Sequence, residues 1–436
     1  MHIANEGSLY RKLGEKIDNL HVKAPWNETW HCILKELYTT READVVVKMP
    51  YTFSTLERIS QITKMEEPLL QRILEGLCRK GLVMDLWNEK HGCYYYMPWP
   101  IVIGIFEFTM MRTEDGPNMK RWADLFHQYF GAVHAANFSN REQISALRVI
   151  PVEESVTNES RMEFFDYERA TALIENAGKL AIGACSCRIE KMHAGAKKCD
   201  APLDTCSFLG EGADYTIRNK LAREVTKAEM LDNFARSREY NLVFCAVNTR
   251  RNPLAICHCC PCCCNFLGGL TRYGYQNCVV TSSFISRIDA AKCSGCGKCV
   301  KVCPVNALSL ISANDPKNTK RKTCQLNTEI CVGCGVCIAK CSFNAMEMIP
   351  RSSNVLHPET LFEVTMLAAL ERGTLQNQLF DNPQSITQDY MRGFTGAFLK
   401  FTPVRRALMS NIFRSAFLSS AKGIARIQGK GWMLDI

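Results

Sequence analysis

Two runs of cysteine stand at a spacing that suits one kind of chemistry. The first is Cys293, Cys296, Cys299 and Cys303, the second Cys331, Cys334, Cys337 and Cys341; each is C-x2-C-x2-C-x3-C, and Pro304 follows the first. Three thiolates on one tight loop can hold three corners of an iron–sulfur cube, but the loop cannot turn back to reach the fourth, so the last cysteine of each run serves the other run's cluster. One 4Fe–4S cluster is therefore expected on Cys293, Cys296, Cys299 and Cys341, and the other on Cys331, Cys334, Cys337 and Cys303. Gly295, Gly297, Gly333 and Gly335 suit backbone running close to a cluster, where N–H groups can point at sulfur. Zinc knuckles use a C-x2–4-C step with a distant second pair, a layout these repeated runs lack.

A second set of thiols is harder to pair. Cys185 and Cys187 open it, Cys199 and Cys206 follow, and it resumes as Cys257-His258-Cys259-Cys260-Pro261-Cys262-Cys263-Cys264. Between the two parts, Thr226 to Glu229 has the capping-box pattern of a helix reaching about Arg238, which lets the clumps fold back on one another. Pro261 disfavours helix at the second clump. If that clump is extended, alternation puts Cys257, Cys259 and Cys263 on one face and Cys260, Cys262 and Cys264 on the other. Six cysteines within eight positions are not the pattern of buried thiols packing as small hydrophobes. These ten cysteines, with His258, are expected to hold at least one further iron–sulfur cluster, with Cys185, Cys187, Cys199 and Cys206 as the best single set. Cys32, Cys78, Cys93, Cys245, Cys278 and Cys324 stand alone and read as structural.

At its repeated motifs, the stretch of roughly residues 284–351 resembles a bacterial-type two-cluster ferredoxin domain. Ser342 departs from that pattern, standing where a second proline would follow the fourth cysteine. More loosely, the whole order of modules resembles a group of iron–sulfur proteins of anaerobes, a likeness that carries no settled reaction with it.

The elements that must position these thiols come from a chain of 436 residues, enough for two or three domains. Its 24 cysteines are clumped rather than spread as staples, and Met1 to Trp26 shows no apolar core of a signal peptide. That combination suggests metal ligation in a reducing, cytoplasmic setting. The longest apolar run, Ile101 to Phe108, is too short to span a bilayer. The fold class expected is α+β. An N-terminal module over 27–100 runs helix, turn, helix, hairpin and resembles a winged helix; a helical cysteine-rich region follows over 101–280, then the two-cluster domain and a basic helical tail over 352–436.

In the N-terminal module, Ser54 to Glu57 and Thr63 to Glu66 both read as capping boxes. The second helix carries Arg72, Arg79 and Lys80 against Glu66, Glu67 and Glu75, so it offers phosphates no net charge, and nucleic acid is not the expected partner. Trp122, Phe126 and Phe130 at i, i+4, i+8 read as core. The net charge of +9 belongs almost wholly to the tail. From Tyr390 to Leu434 there is no Asp or Glu, and Arg392, Lys400, Arg405, Arg406, Arg414, Lys422, Arg426 and Lys430 alternate with apolar residues. Such a segment can dock an acidic redox partner or touch an anionic membrane surface without spanning it.

No phosphate-binding glycine loop is expected. Gly210-Glu211-Gly212 lacks a third glycine, and no strand is read before it. No hydrolytic site stands out. The function expected is single-electron transfer at low potential between protein partners. Its rivals are a redox-sensing DNA-binding regulator and a reductase whose middle centre is the catalyst.

Overall fold

The computed structural model describes residues 3–113, 116–134, 144–156, 165–273, 279–316, 318–352 and 355–435; Cys278 lies outside them. The chain is mixed helix and sheet, and no helix among the described residues is long and apolar enough to cross a membrane.

In the N-terminal part, helix Leu56–Thr63 is capped by Thr55, whose side chain accepts from the Arg58 N–H, one residue later than the sequence pattern suggested. Thr63 is no cap at all: it ends that helix, donating to the Ile59 carbonyl, and Glu66 begins helix Glu67–Arg79 without a side-chain cap. Pro68 in the first turn supplies the start instead. A true capping box that the sequence reading missed, Thr39 with Glu42, starts helix Thr40–Lys48. A short β1 (Ser54–Thr55) pairs with β3 (Cys93–Pro98), which pairs in turn with β2 (Val83–Asn88). Trp122, Phe126 and Phe130 are all buried, on helix Gly116–His134.

The middle of the chain is not the helical region the sequence suggested. It is built on a six-stranded antiparallel sheet in the order β4-β8-β9-β6-β5-β7, with β4 Leu147–Ile150, β5 Leu180–Ala184, β6 Asp204–Leu209, β7 Ala222–Glu224, β8 Val243–Val247 and β9 Ala255–Cys259. β5 and β8 are five-residue apolar runs, buried nearly end to end; short runs of that kind carry no alternation to mark them as strands. Helix Lys227–Glu239, with the Thr226–Glu229 capping box in place, packs on one face. β6 also corrects the reading of Gly210. A strand does run straight into it and helix Glu211–Arg218 follows, but a Cβ on Gly212 would lie 2.2 Å from the Leu254 carbonyl oxygen. That glycine serves close packing, and Glu211 and Asp214 in the first turn make the helix start unsuited to phosphate.

Two short two-stranded sheets follow, β10 (Phe284–Ile288) with β13 (Met346–Pro350) and β11 (Leu308–Ser312) with β12 (Lys322–Leu326). Beyond them the chain is helical. The tail is tied to the N-terminal part through Asp381, whose buried carboxylate accepts from Arg58 at 2.8 and 2.9 Å and from Lys430 at 2.7 Å.

Candidate metal centres

Each cysteine run folds as a loop entering a short helix, Lys298–Val302 in the first and Val336–Ala339 in the second. Cys293, Cys296, Cys299 and Cys341 line one hollow, and Cys303, Cys331, Cys334 and Cys337 line another. The donors fit a cluster, with the four expected thiols at each hollow and backbone N–H groups directed at sulfur. Ala307 N–H reaches Cys303 Sγ at 3.2 Å and Ala345 N–H reaches Cys341 Sγ at 3.4 Å. Cys296, exposed, is held below the usual thiol range first by the Lys298 N–H.

Two of the glycines in these loops have a further reason besides proximity to sulfur. Gly295 and Gly333 sit at φ of +69° and +68°, and a Cβ on them would lie 2.3 Å from the Lys322 carbonyl oxygen and 2.1 Å from that of Phe284. The tight clearance is against the neighbouring strands.

Cys324 is not isolated: its Sγ lies 3.5 Å from Cys299 Sγ, on the wall of the first hollow. Ser286 takes the matching place at the second hollow, 3.4 Å from Cys337 Sγ. Each lies seven residues before the first cysteine of a run, so the internal repeat itself was the signal that could have found Cys324.

In the middle sheet, β9 places Cys257 and Cys259 on one face and His258 on the other. Cys245 stands across from Cys257 on β8, and Cys206 on β6 shares their face. His258 is no ligand. Its ring lies between Phe234 and Phe244, with Ser237 Oγ 2.6 Å from Nδ1 and Ser207 Oγ 3.0 Å from Nε2, and burial pushes its pKa down to about 3. Facing the sheet thiols are Cys185 and Cys187 at the start of helix Ser186–His193, and Cys264 just before helix Asn265–Tyr273. Positive helix N-termini thus point at the thiols, and the Leu267 N–H reaches Cys264 Sγ at 3.5 Å.

Cys185, Cys187, Cys206, Cys257, Cys259 and Cys264 line a cavity of about 70 Å³. Cys185 and Cys187 are pushed well above the usual thiol range, first by hydrogen bonds to Cys206 and Cys264 and then by burial. Thiols so held must release protons for any metal to bind.

This arrangement divides the sequence's sets differently. Cys199 does not join Cys185, Cys187 and Cys206. It lies instead with Cys260, Cys262 and Cys263, all four Sγ atoms within 4.8 Å of one another. The extended clump ends at Cys259; residues 261–263 turn and Asn265 begins a helix, so the proposed faces are redrawn, with Cys263 leaving Cys257 and Cys259, and Cys264 joining them. Cys245, read as structural, contacts Cys259. Cys32 and Cys93 are half-buried, and Cys78 is buried in the N-terminal core.

The cavity adjoins a second of about 110 Å³, and Trp99, Ile103, Leu254 and Phe266 border both. Ile103 is held at φ 48°, ψ 55°, a conformation costly for a β-branched residue. It is fixed by Glu107, whose carboxylate accepts from the Gly104 N–H at 2.9 Å and whose pKa burial raises to about 7.

No curated protein and no solved structure matches the chain. Residues 292–345 match the family model of the 4Fe-4S dicluster domain, so this stretch is an iron–sulfur domain of ferredoxin type.

Proposed function

We propose that the chain is an electron relay working at low potential, with its clusters in series and protein partners at its ends. One observation carries the series: Cys331 and Cys334 of the second hollow share a single apolar core with Cys245 and Cys259 of the middle sheet and with Cys264. The first hollow opens outward beside exposed Cys296 and Phe343. On this reading Cys293, Cys296, Cys299 and Cys341 hold the entry cluster, and Cys303, Cys331, Cys334 and Cys337 the next. A third draws its four ligands from among Cys185, Cys187, Cys206, Cys257, Cys259 and Cys264. Such clusters supply one-electron chemistry, at potentials that hydrogen bonds and burial set.

The winged-helix-like module is a docking or structural element on this reading. Lys80 of its second helix is engaged with Glu42 at 2.7 Å, which supports that role over DNA binding. The tail supports partner docking in a different way. Ile386, Tyr390, Phe394 and Phe398 lie exposed along helix Ile386–Leu399, followed along the chain by Lys400 and Arg406. The setting proposed is cytoplasmic and anaerobic. The test is iron and acid-labile sulfide in anaerobically purified protein: about twelve irons per chain support three clusters, about eight leave only the ferredoxin pair. Electron transfer from an acidic donor should slow as salt rises.

A second reading, a reductase centred on the middle thiols, is favoured by the adjoining apolar cavity and Glu107. It predicts that a small apolar thiol or disulfide perturbs the spectrum of the middle centre. A spectrum indifferent to such compounds removes it.

A further inference from the structure

The tetrad of Cys199, Cys260, Cys262 and Cys263 differs from every other thiol set in one measurable respect. Its sulfur–sulfur distances are 3.7 Å from Cys199 to Cys260, 3.9 Å from Cys199 to Cys263, 3.8 Å from Cys260 to Cys262 and 3.5 Å from Cys262 to Cys263. The remaining two pairs also lie within 4.8 Å. Four sulfurs at the corners of a tetrahedron, each about 2.3 Å from one ion, stand about 3.8 Å apart. A cubane instead takes one thiolate on each of four separate irons, so its thiolate sulfurs are spread around the whole cube. No other set of cysteines among the described residues is drawn so close, the eight of the ferredoxin-type domain included.

The local fold explains the compactness. Cys260 follows the end of β9, Pro261 turns the chain, and Cys262 and Cys263 follow within the turn, closed by the Cys264 N–H donating to the Cys260 carbonyl at 3.1 Å. Cys199 arrives from the loop after helix Ser186–His193. The four thiols pack with Ala201 and Leu242 as a small core of their own, and Cys260 also lines the cavity. The buried Arg188 guanidinium lies 4.0 Å from Cys260 Sγ and donates to the His258 carbonyl at 2.8 Å, placing a fixed positive charge beside the sulfurs.

We propose that Cys199, Cys260, Cys262 and Cys263 form a mononuclear tetrathiolate site for Zn²⁺, distinct from the iron–sulfur centres. All four tetrahedral positions are taken by sulfur, so the site is closed and has no position for substrate. Its role is to clasp the loop carrying Cys199 to the turn that begins the Cys264 helix. It thereby holds one wall of the cavity without carrying electrons, since zinc has no redox chemistry here. The proposal does not rest on the relay reading.

The test uses the full chain, purified anaerobically from cells grown without added zinc. Elemental analysis should find about one zinc per chain, and zinc-edge X-ray absorption a shell of four sulfurs near about 2.3 Å with no neighbouring metal. Cys199→Ser and Cys262→Ser should each lower zinc about tenfold while iron and sulfide per chain stay unchanged. The absorption measurement needs no variant, so a misfolded variant does not blunt the test. Zinc absent from the native protein overturns the proposal. So does loss of several irons with their sulfide in Cys199→Ser, which would mark a cluster, or loss of a single iron without sulfide, which would mark iron as the ion.

Discussion

The two thiol-rich regions solve one problem in opposite ways. In the ferredoxin-type stretch the ligand candidates lie close along the chain, on loops whose N–H groups face sulfur. In the middle they come from within β6 and β9 and from the starts of two helices. The first arrangement leaves Cys296 exposed and its thiol lowered, while burial raises Cys334 and Cys337 of the same stretch; in the second, thiol–thiol hydrogen bonds and burial raise Cys185 and Cys187. A loop motif can thus bind metal almost wherever it is placed, whereas the sheet site exists only once the sheet has formed.

The comparison can be broken most directly by removing one thiol from each side. Cys334→Ala and Cys257→Ala should each cost about four irons per chain, each leaving the other region's spectrum intact. A single change that empties both regions would show that they are one cooperative unit. Asp381→Asn is the control outside both. Leaving Arg58 and Lys430 with a lost partner should destabilise the tie between N-terminal part and tail by about 3 kcal/mol in denaturant unfolding, with iron content unchanged. Burial works against the Asp381 carboxylate, but Arg58 and Lys430 outweigh it and hold its pKa well below the usual range. Its contribution is therefore fully present above about pH 4 and is lost as pH falls toward the folded value, so wild type and variant should converge in acid.

Gly333→Ala tests whether the loop depends on its strands. Its Cβ would meet the Phe284 carbonyl at 2.1 Å in a left-handed backbone, so a loss of about 2 kcal/mol or more is expected. Gly297→Ala, whose Cβ would meet only Leu310 Cδ1 at 3.2 Å, should cost less by the same measurement. The smallest effect belongs to Cys324→Ser. It exchanges a weak thiol donor beside Cys299 for a hydroxyl donor at the same place and should move the potential of one cluster by no more than about 60 mV, read by redox-titrated EPR.

Much of the chemistry was legible beforehand because it is local. The C-x2-C-x2-C-x3-C runs carry their geometry in their spacing, and the Thr226–Glu229 box starts its helix for reasons confined to one turn. The six-stranded sheet was not legible, because runs such as Val243–Val247 are apolar throughout and have no period to read. The false cap at Thr63 and the missed one at Thr39 show the limit of motif reading: whether a hydroxyl caps depends on where the preceding helix ends.

By itself the amino-acid order determined which thiols could form a ferredoxin-type pair, since each run needs only its own loop and the last cysteine of its twin. It also pointed to the middle cysteines gathering. Only the tertiary structure decided how they divide, sending Cys199 to Cys260, Cys262 and Cys263 and leaving Cys185, Cys187 and Cys206 with the sheet. That division depends on strand order and on a turn at Pro261, and contacts between segments far apart in sequence leave no spacing to read.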